Sequence, residues 1–531
     1  MKRKVFVILI VVMAFCFSSV FAGGGQQQGS ATARPSYPTG RITYPVQTDV
    51  TLTYWAAVNG NISPNYVSYG DVPFYHALQE RTGVKLRFLH PPTGGENEQF
   101  NLIVASGDIP DIMHWDFLAY PGGPEKAITD GTIIKLNDLI DNYGPNLKDV
   151  LSGNPQYDRM VKTDVGSYFC FPFIRSDPRL CVYQGPIVRK DWLDELGLQP
   201  PVTYDDWRNV LTAFKTRKNS PAPLAIPFNN TSFMYGYGID SGFYVGTDGR
   251  MKWGRVEPAY RDYLSMMAQW YREGLLDPDT ATITGQQIQA KITNGTSGAV
   301  HGLTGSGMGV YLPAGKATDP NYDLLGVKSP VLRNGDKLTM INIDNPFSSG
   351  AAQSIGGNNR YPEITARFLD YGYSNEWWLF CNFGTPGVSY TMINGYPTYT
   401  DLILRNPNGW PIGQAIASQA MSAYGGPFLQ AYEYFEQYLA YPQQLEAVSN
   451  WTIDDPFRQK LPPITPTPEE SQEVARIMSE VNTYADEMMV RFILGTEPLS
   501  NFDTYISTLR RMGIDRVIEI YNAALIRYNN R

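Results

Sequence analysis

The stretch VPFYHALQERTGVKLRFLH (72–90) combines two kinds of periodicity in one short segment. Its first part, 72–83, spaces apolar residues as one face of a helix does and ends at Gly83, a residue that commonly terminates helices. Its second part, VKLRFLH (84–90), alternates apolar and polar residues as a strand does. A helix that runs directly into a strand predicts an α/β unit.

The flanking segments extend this unit on both sides. DVTLTYWAAV (49–58) alternates as a strand, ENEQFNLIVASGD (96–108) has the pattern of a helix stopped by Gly107, and DIMHW (111–115) predicts a third strand. The order β-α-β-α-β with short connections is typical of a doubly wound α/β layer. Ligands of such layers bind at the carboxyl ends of the strands, where Trp55, Ala56, Trp115 and Asp116 lie in this sequence.

The rest of the chain predicts more helices than strands. Helical patterns cover 135–146, 258–277 and both halves of 362–384, and the last part of the chain, from PEESQEVARIM onward, is almost entirely helical. A glycine-rich run, NGTSGAVHGLTGSGMG (294–309), has neither the P-loop nor the dinucleotide-binding pattern, so it predicts a strand and a loop. At 531 residues, two or more domains are expected.

The N-terminus predicts export. Lys2, Arg3 and Lys4 precede the apolar segment VFVILIVVMAFCF (5–17), and small residues allow cleavage after Ala22. The predicted signal peptide is therefore 1–22, followed by a flexible leader over 23–47. Cys16 offers the alternative of a lipid-attachment site, which leaves open whether the exported protein is free or lipid-anchored.

Composition excludes several classes of function. The net charge is −8 and no basic cluster occurs, which argues against nucleic acid and against an anionic membrane surface as partners. The four His residues, 76, 90, 114 and 301, have no metal-ligand spacing, so neither a metal nor a cofactor is expected. Beyond the signal peptide, Cys170 and Cys181 could form a disulfide and leave Cys381 over, or all three could remain thiols.

The charged stretch VRKDWLDELGLQPPVTYDDWRNVLTAFK (188–215) is explained by helix boundaries. A short helix over 191–196 ends at Gly197, and Thr203 with Asp206 predicts a capping box for the next helix. That helix carries one apolar stripe, formed by Trp207, Val210, Leu211 and Phe214. Arg189 is a candidate ligand contact, and its structural alternative is an ion pair with Asp191 or Asp194.

Five segments, in this order, resemble the extracellular solute-binding proteins of ABC importers, in particular their large carbohydrate-binding branch. They are ASGDIPDIM (105–113), IIKLNDLIDNYGPN (133–146), IVRKDWLDELGLQPPVTYDDWRNVLTAFK (187–215), YREGLLDPD (271–279) and FILGTEPLSNFDTYISTLRRMGIDRVIEIYNAALIRYN (492–529). The resemblance runs from about residue 50 to the C-terminus. The sequence departs from the family's pattern in its export signal, which has no convincing lipobox cysteine.

The resemblance implies a type II periplasmic-binding fold, with two α/β lobes joined by crossing strands and a helical C-terminal region. Lobe one would comprise 48–185 and 342–390, and lobe two would comprise 186–341 and 391–531, with a first crossing near CVYQGPIV (181–188). It further implies a monomeric, exported protein, in the periplasm or at the cell surface. Such a protein captures a mono- or oligosaccharide and delivers it to the permease subunits of an ABC importer in the membrane. A binder of peptides or another solute, and a secreted carbohydrate-active enzyme, are the alternatives.

A sugar presents an apolar face and a rim of hydroxyl groups, so aromatic rings with Asp, Asn and Arg side chains suit its recognition. In maltose-binding relatives a tryptophan and a nearby acidic residue contact sugar at the place of Trp115 and Asp116. The structural alternatives are core packing for the rings and helix capping for Asp116. Catalytic residues are not predicted, because G-x-S-x-G has no match and the sequence cannot pair carboxylates. The candidate ligand-binding residues are Trp55, Asn59, Trp115, Asp116, Tyr168, Phe169, Arg189, Trp270, Trp377, Trp378 and Trp410.

Overall fold

The computed structural model describes residues 37–531. The predicted signal peptide and Cys16 lie outside the described residues. The strands are β1 (Thr51–Trp55), β2 (Lys85–Leu89), β3 (Ile112–His114), β4 (Phe171–Arg175), β5 (Gln184–Arg189), β6 (Leu224–Ala225), β7 (Phe243–Val245), β8 (Met251–Trp253), β9 (Ala299–Leu303), β10 (Leu324–Gly326), β11 (Phe347–Ile355), β12 (Tyr390–Ile393), β13 (Tyr396–Tyr399) and β14 (Leu429–Gln430).

Helices form the larger part of the described chain. In chain order they are α1 (Pro73–Thr82), α2 (Glu96–Ser106), α3 (Gly123–Thr129), α4 (Asn137–Tyr143), α5 (Pro145–Gly153), α6 (Pro155–Met160), α7 (Lys190–Leu196), α8 (Tyr204–Arg217), α9 (Pro258–Arg272), α10 (Gly285–Thr293), α11 (Gly309–Lys316), α12 (Pro362–Asp370), α13 (Asn375–Phe383), α14 (Asp401–Leu404), α15 (Ile412–Gln419), α16 (Tyr432–Tyr438), α17 (Pro442–Trp451), α18 (Pro468–Leu494), α19 (Phe502–Met512) and α20 (Ile514–Asn529).

The β-α-β-α-β unit predicted from the opening stretch is confirmed. β1 pairs in parallel with both β2 and β3, while α1 and α2 provide the two connections. Gly83 ends α1 at φ 76°, in the left-handed region that favours glycine. A Cβ atom there would lie 2.2 Å from the Val46 carbonyl oxygen, so the turn between α1 and β2 also requires the absence of a side chain.

The larger sheet has the order β14-β4-β11-β3-β1-β2. Its third strand, β11, runs antiparallel to both neighbours and comes from far along the chain. The register of β11 against β4 shifts between Ser348 and Gln353, so the pairing is interrupted over that stretch. This interruption matters because Ser348, Ser349 and Gly350 face the cavity described below.

The smaller sheet has the order β10-β5-β9-β6, and it packs with α9 and the C-terminal helices α18 to α20 around one apolar core. β5 carries the chain from the larger to the smaller sheet, and β11 carries it back. Two hairpins, β7–β8 and β12–β13, stand outside these sheets.

Residues after 390 differ from the expected division into lobes. β14 belongs to the larger sheet, so 391–531 does not lie as a whole on the side of the smaller sheet. Buried Asn382 explains this placement, because its carbonyl oxygen accepts the Tyr399 hydroxyl at 2.8 Å and its Oδ1 accepts the Ala431 N–H at 2.8 Å. These bonds keep the segment after α13 on the side of the larger sheet.

The predicted flexible leader is also shorter than expected. The Val46 N–H donates to the Thr82 carbonyl oxygen at 2.8 Å, and the Gly40 N–H donates to the Asn142 carbonyl oxygen at 2.8 Å. Residues 39–47 are thus fixed against α1 and α4 by backbone hydrogen bonds.

The stretch 188–215 folds as its pattern predicts. Gly197 ends α7 at φ 67°, and Thr203 and Asp206 exchange the two hydrogen bonds of a capping box. The stripe of α8 is buried, with Trp207 fully inaccessible to solvent. Asp206 therefore serves a helix boundary, as the sequence indicates, while Arg189 and Lys190 pair with Asp191 and Asp194.

Two smaller expectations are resolved. Cys170, Cys181 and Cys381 are buried free thiols, so the disulfide alternative is wrong. The glycine-rich run contains the predicted strand, β9, but Thr304–Met308 forms a helical turn where a loop was expected.

No helix among residues 37–531 is long and apolar enough to cross a membrane.

Candidate functional site

A cleft of about 1060 Å³ lies between the two sheets. One wall comes from the larger sheet, through Asp116 after β3, Arg175 at the end of β4 and the start of β11. The facing wall comes from 231–244, which packs with the smaller sheet. Strand ends and crossing segments meet here, at the place where α/β layers bind ligands.

Asp116 stands at the carboxyl end of β3, where the sequence predicts a ligand site. Its Oδ1 accepts the backbone N–H of Leu118 at 3.0 Å and caps a short 3-10 helix over Phe117–Ala119. Asp116 thus has the helix-capping role that the sequence offered as its structural alternative. The carboxyl group nevertheless lines the cleft, so capping fixes its position without removing it from the site.

An aromatic pair lines the facing wall. The ring centroids of Phe243 and Tyr521 lie 4.5 Å apart, with the ring planes at 55°. Phe243 lies in the β7–β8 hairpin, where it pairs with Trp253, and Tyr521 lies on α20. Both side chains are half-buried and both line the cleft, so each presents part of its ring to an incoming ligand.

Polar groups surround this pair. The Tyr235 and Thr231 hydroxyl groups are hydrogen-bonded at 2.7 Å, and the Asp240 Oδ1 accepts the Gly242 N–H at 3.0 Å. Burial, together with the nearby Asp240 charge, raises the pKa of Tyr235 well above its usual range. Tyr235 is therefore a neutral hydroxyl group at physiological pH, able to donate and accept hydrogen bonds.

The crossing segments are tied together at Asp344. Its carboxylate lies 3.5 Å from the Arg175 guanidinium and accepts a hydrogen bond from the Tyr183 hydroxyl. The Asp344 N–H also donates to the Cys181 carbonyl oxygen at 3.0 Å. The two connections between the sheets are thus linked directly beside the cleft.

The two tryptophans predicted at strand ends do not line the cleft. Trp55 is 1% exposed, and Trp115 stacks on Phe100 with centroids 4.4 Å apart and planes at 11°. Trp55 and Trp115 are themselves 5.5 Å apart. Trp55 is buried in the core, Trp115 is half-buried against Phe100 of α2, and Asp116 alone of the predicted strand-end residues lines the cleft.

Asn59, Tyr168 and Phe169 have local structural partners. The Asn59 Oδ1 accepts the Asn61 N–H at 2.9 Å, and the Tyr168 hydroxyl donates to Asp158. Phe169 is 1% exposed beside Phe347. None of these three predicted residues lines the cleft as the structure describes it.

Arg189 forms the ion pair given above as its alternative. Its Nε donates to the Asp191 Oδ1 at 2.8 Å, and its guanidinium lies 4.2 Å from the centre of the Tyr322 ring. The side chain is 4% exposed, which leaves it no open face toward a ligand.

The remaining predicted tryptophans also lie away from the cleft lining. Trp270 is 2% exposed and packs edge-on against Phe233, and Trp377 lies 4.0 Å from the Tyr371 ring. Trp378 is partly buried against Phe383, and Trp410 is half-buried with its ring edge-on to Tyr66 at 6.0 Å.

The aromatic residues that do line the cleft were not among the predicted ones; they are Tyr120, Tyr235, Phe243, Tyr244, Phe347 and Tyr521. The turn TDGR (247–250) between two short alternating segments could have indicated the β7–β8 hairpin. Nothing in the sequence pairs that hairpin with α20.

Metal chemistry has no evident ligand set here. Within residues 37–531, no group of three or more His, Cys, Asp or Glu side chains is placed to hold a metal ion.

Comparison with known proteins decides the family. The family model for bacterial extracellular solute-binding proteins matches residues 63–377, more than half of the chain. The chain belongs to this family. As a solute-binding protein it is not an enzyme, and the family is extracellular, in agreement with the predicted export.

One curated relative covers nearly the whole solute-binding protein, and another covers about half of it. The fructooligosaccharide ABC transporter substrate-binding protein FusA of Streptococcus pneumoniae is 25% identical, and the match covers 98% of each chain. The polygalacturonan/rhamnogalacturonan-binding protein YtcQ of Bacillus subtilis is 25% identical over 55% of this chain and 56% of its own.

Solved structures show the fold. The alginate-binding protein AlgQ2, solved without calcium ion, superposes with a TM-score of 0.73 at 25% identity, over 92% of this chain and 100% of its own. FusA in complex with kestose gives a TM-score of 0.71 at 21% identity, over 91% and 100% of the two chains. The solute-binding protein thus has the two-lobed α/β fold of type II periplasmic binding proteins that the sequence resemblance implies.

Proposed function

We propose that this protein captures an oligosaccharide in the cleft between its sheets and delivers it to the membrane permease of an ABC importer. The observation that carries the proposal is the composition of the cleft. It combines half-exposed rings, Phe243 and Tyr521, with carboxylates and hydroxyl groups on both walls.

This composition suits a sugar. The CH face of a pyranose or furanose ring packs on an aromatic ring, while its hydroxyl groups exchange hydrogen bonds with carboxylates and with Tyr or Thr hydroxyls. Asp116 contributes from one wall, and Tyr235, Thr231 and Asp240 contribute from the other.

The size of the cleft favours several linked sugars over one. Its volume of about 1060 Å³ is at the upper end of pockets that hold drug-sized ligands, roughly 300–1,000 Å³. A monosaccharide would leave most of this space to water. The names of relatives support the same class, because FusA is named for fructooligosaccharides and was solved with kestose.

Binding would act by closing the cleft. A ligand that touches both walls stabilises the closed form only through contacts that the open form does not make. In this proposal the walls move about the crossing segments, which are linked at Asp344. The permease would then distinguish the closed, loaded protein from the open one.

Export would bring the protein to the compartment where this activity is needed. The N-terminal pattern of 1–22 supports secretion, to the periplasm or to the cell surface, and Cys16 is the candidate for a lipid anchor. Capture outside the membrane followed by release to a permease requires no change in the ligand.

The test is isothermal titration of the chain without residues 1–22 against a panel of oligosaccharides and a matched panel of peptides. The expected result is saturable one-to-one binding of at least one oligosaccharide, recovered unchanged after release. Binding of peptides with no response to any glycan would overturn the carbohydrate assignment and favour a peptide binder.

A further inference from the structure

We propose that the cleft selects uncharged oligosaccharides and excludes chains of uronic acids. This inference rests on the proposed function and adds the charge class of its ligand. The names of relatives leave the class open, because AlgQ2 binds alginate and FusA was solved with kestose. We therefore infer the charge class of the ligand from the charged side chains that line the cleft of this chain.

Charged side chains of both signs line the cleft. They are Asp116, Asp240, Asp344, Arg175 and Lys460. Their formal sum is negative, in agreement with the net charge of −8 for the whole chain.

Arg175 already interacts with other groups of the protein. Its NH2 group lies 3.5 Å from the Asp344 carboxylate, and its NH1 donates to the Asn345 carbonyl oxygen at 3.2 Å. The guanidinium also lies over the rings of Phe173 and Tyr183, and its side chain is 15% exposed. A ligand carboxylate would have to compete with Asp344 for this cation.

The two remaining carboxylates face the cleft without a cation. Asp116 and Asp240 form no ion pair with any described residue. Each is held by a neighbouring backbone N–H, from Leu118 and Gly242 respectively. Their positions on opposite walls mean that a ligand in the cleft lies between two negative groups.

Lys460 is the cleft cation that has no ion pair among the described residues. A uronate chain carries one carboxylate on every sugar, so a single lysine cannot neutralise two or more of them. Like charges brought together in a partly desolvated site oppose binding strongly. A neutral sugar avoids this repulsion, and its hydroxyl groups can donate to Asp116 and Asp240 instead.

The experiment compares matched ligands by isothermal titration. Neutral xylo-, cello- and fructo-oligosaccharides are titrated beside oligogalacturonates and alginate oligomers of the same length, at low ionic strength where repulsion is weakly screened. The expected result is that the best neutral ligand binds at least about tenfold more tightly than any uronate.

A charge-neutralised variant gives the second readout. D116N/D240N should bind neutral sugar more weakly and uronate more strongly than the unmodified protein. The ratio of the uronate dissociation constant to the neutral-sugar dissociation constant should therefore fall by about tenfold or more. Glu480→Gln is a control for a charge removed elsewhere, because Glu480 is exposed on α18 and outside the cleft lining. It removes one negative charge and should leave the preference unchanged, and thermal unfolding checks that each variant is folded.

The outcomes separate this inference from the proposed function. Uronate binding equal to or tighter than neutral binding overturns the inference and leaves a carbohydrate-binding protein. Failure of every glycan, neutral or charged, overturns the proposed function itself. An unchanged preference in D116N/D240N would show that these carboxylates do not set the selection, and it would also overturn the inference.

Discussion

The ring of Phe243 lies 4.5 Å from the ring of Tyr521, although one belongs to a hairpin in the middle of the chain and the other to the last helix. Each ring packs against the other in the lining of the cleft. A ring held from behind presents its free face to a ligand at little further cost in side-chain entropy. This pair is therefore the expected stacking platform of the site.

Replacement of Phe243 by alanine should weaken binding of the oligosaccharide. Loss of an aromatic contact that carries binding energy typically costs more than 1 kcal/mol, so the dissociation constant should rise about tenfold or more. Isothermal titration measures this with the ligand found in the panel.

Tyr361→Ala is the control for that variant. Tyr361 is also half-buried, but it lies at the start of α12 and outside the cleft lining. The affinity of the Tyr361→Ala variant for the oligosaccharide should stay within about twofold of that of the unmodified protein. Equal losses in the two variants would contradict a stacking role for Phe243.

Trp270 should behave as a core residue. It is 2% exposed on α9 and packs against Phe233, so Trp270→Phe should lower the free energy of unfolding by less than the roughly 3–5 kcal/mol of a truncation to alanine. Denaturant unfolding measures the loss. Titration of the folded variant should give an unchanged affinity, and a large loss of affinity without a loss of stability would place Trp270 in the site.

Asp164 should be important for stability. It accepts a hydrogen bond from the Arg531 Nε at 3.0 Å and from the Arg527 Nε at 2.6 Å, and the Arg531 side chain is 1% exposed. Asp164→Ala would leave a buried guanidinium without its carboxylate. A loss of about 3 kcal/mol in the free energy of unfolding is expected.

An exposed ion pair provides the comparison for Asp164. Asp141 and Lys148 are 2.8 Å apart, and their side chains are 58% and 50% exposed. Asp141→Ala should cost less than about 1 kcal/mol, because solvent screens the pair. Denaturant unfolding of both variants under the same conditions tests the difference, which similar losses would contradict.

His301 should make the fold sensitive to acid. Burial lowers its pKa to about 4, whereas an unfolded histidine has a pKa of about 6.5. The unfolded state then binds more protons between these values, so stability is full above about pH 6.5 and is lost as the pH falls toward about 4. His301→Gln should flatten this dependence, measured by denaturant unfolding at pH 7.5 and pH 4.5. An equally steep decline in the variant would assign the effect to other groups.

The sequence predicts those parts of the fold that local pattern determines. The unit from β1 to β3 and the cap of α8 follow from periodicity and from residues within one turn of each other. β14 could not be assigned in this way, because a strand of two residues has no periodicity and its place depends on Asn382 far earlier in the chain.

The site was less predictable than the fold. Asp116 was found because a strand end defines its position, and it does line the cleft. The tryptophans were favoured for their chemistry, yet in this chain large rings such as Trp55 and Trp270 fill the cores. The rings that line the cleft are phenylalanine and tyrosine from segments that meet only after folding, and no local pattern marks them.

The most direct measurement is a crystal structure of the protein with the oligosaccharide that binds most tightly in the titration panel. We expect the sugar to lie between Asp116 and Asp240, with a sugar ring stacked on Phe243 or Tyr521 and sugar hydroxyl groups hydrogen-bonded to both carboxylates. A sugar bound outside this cleft, with Phe243, Tyr521 and both carboxylates free of ligand, would contradict it.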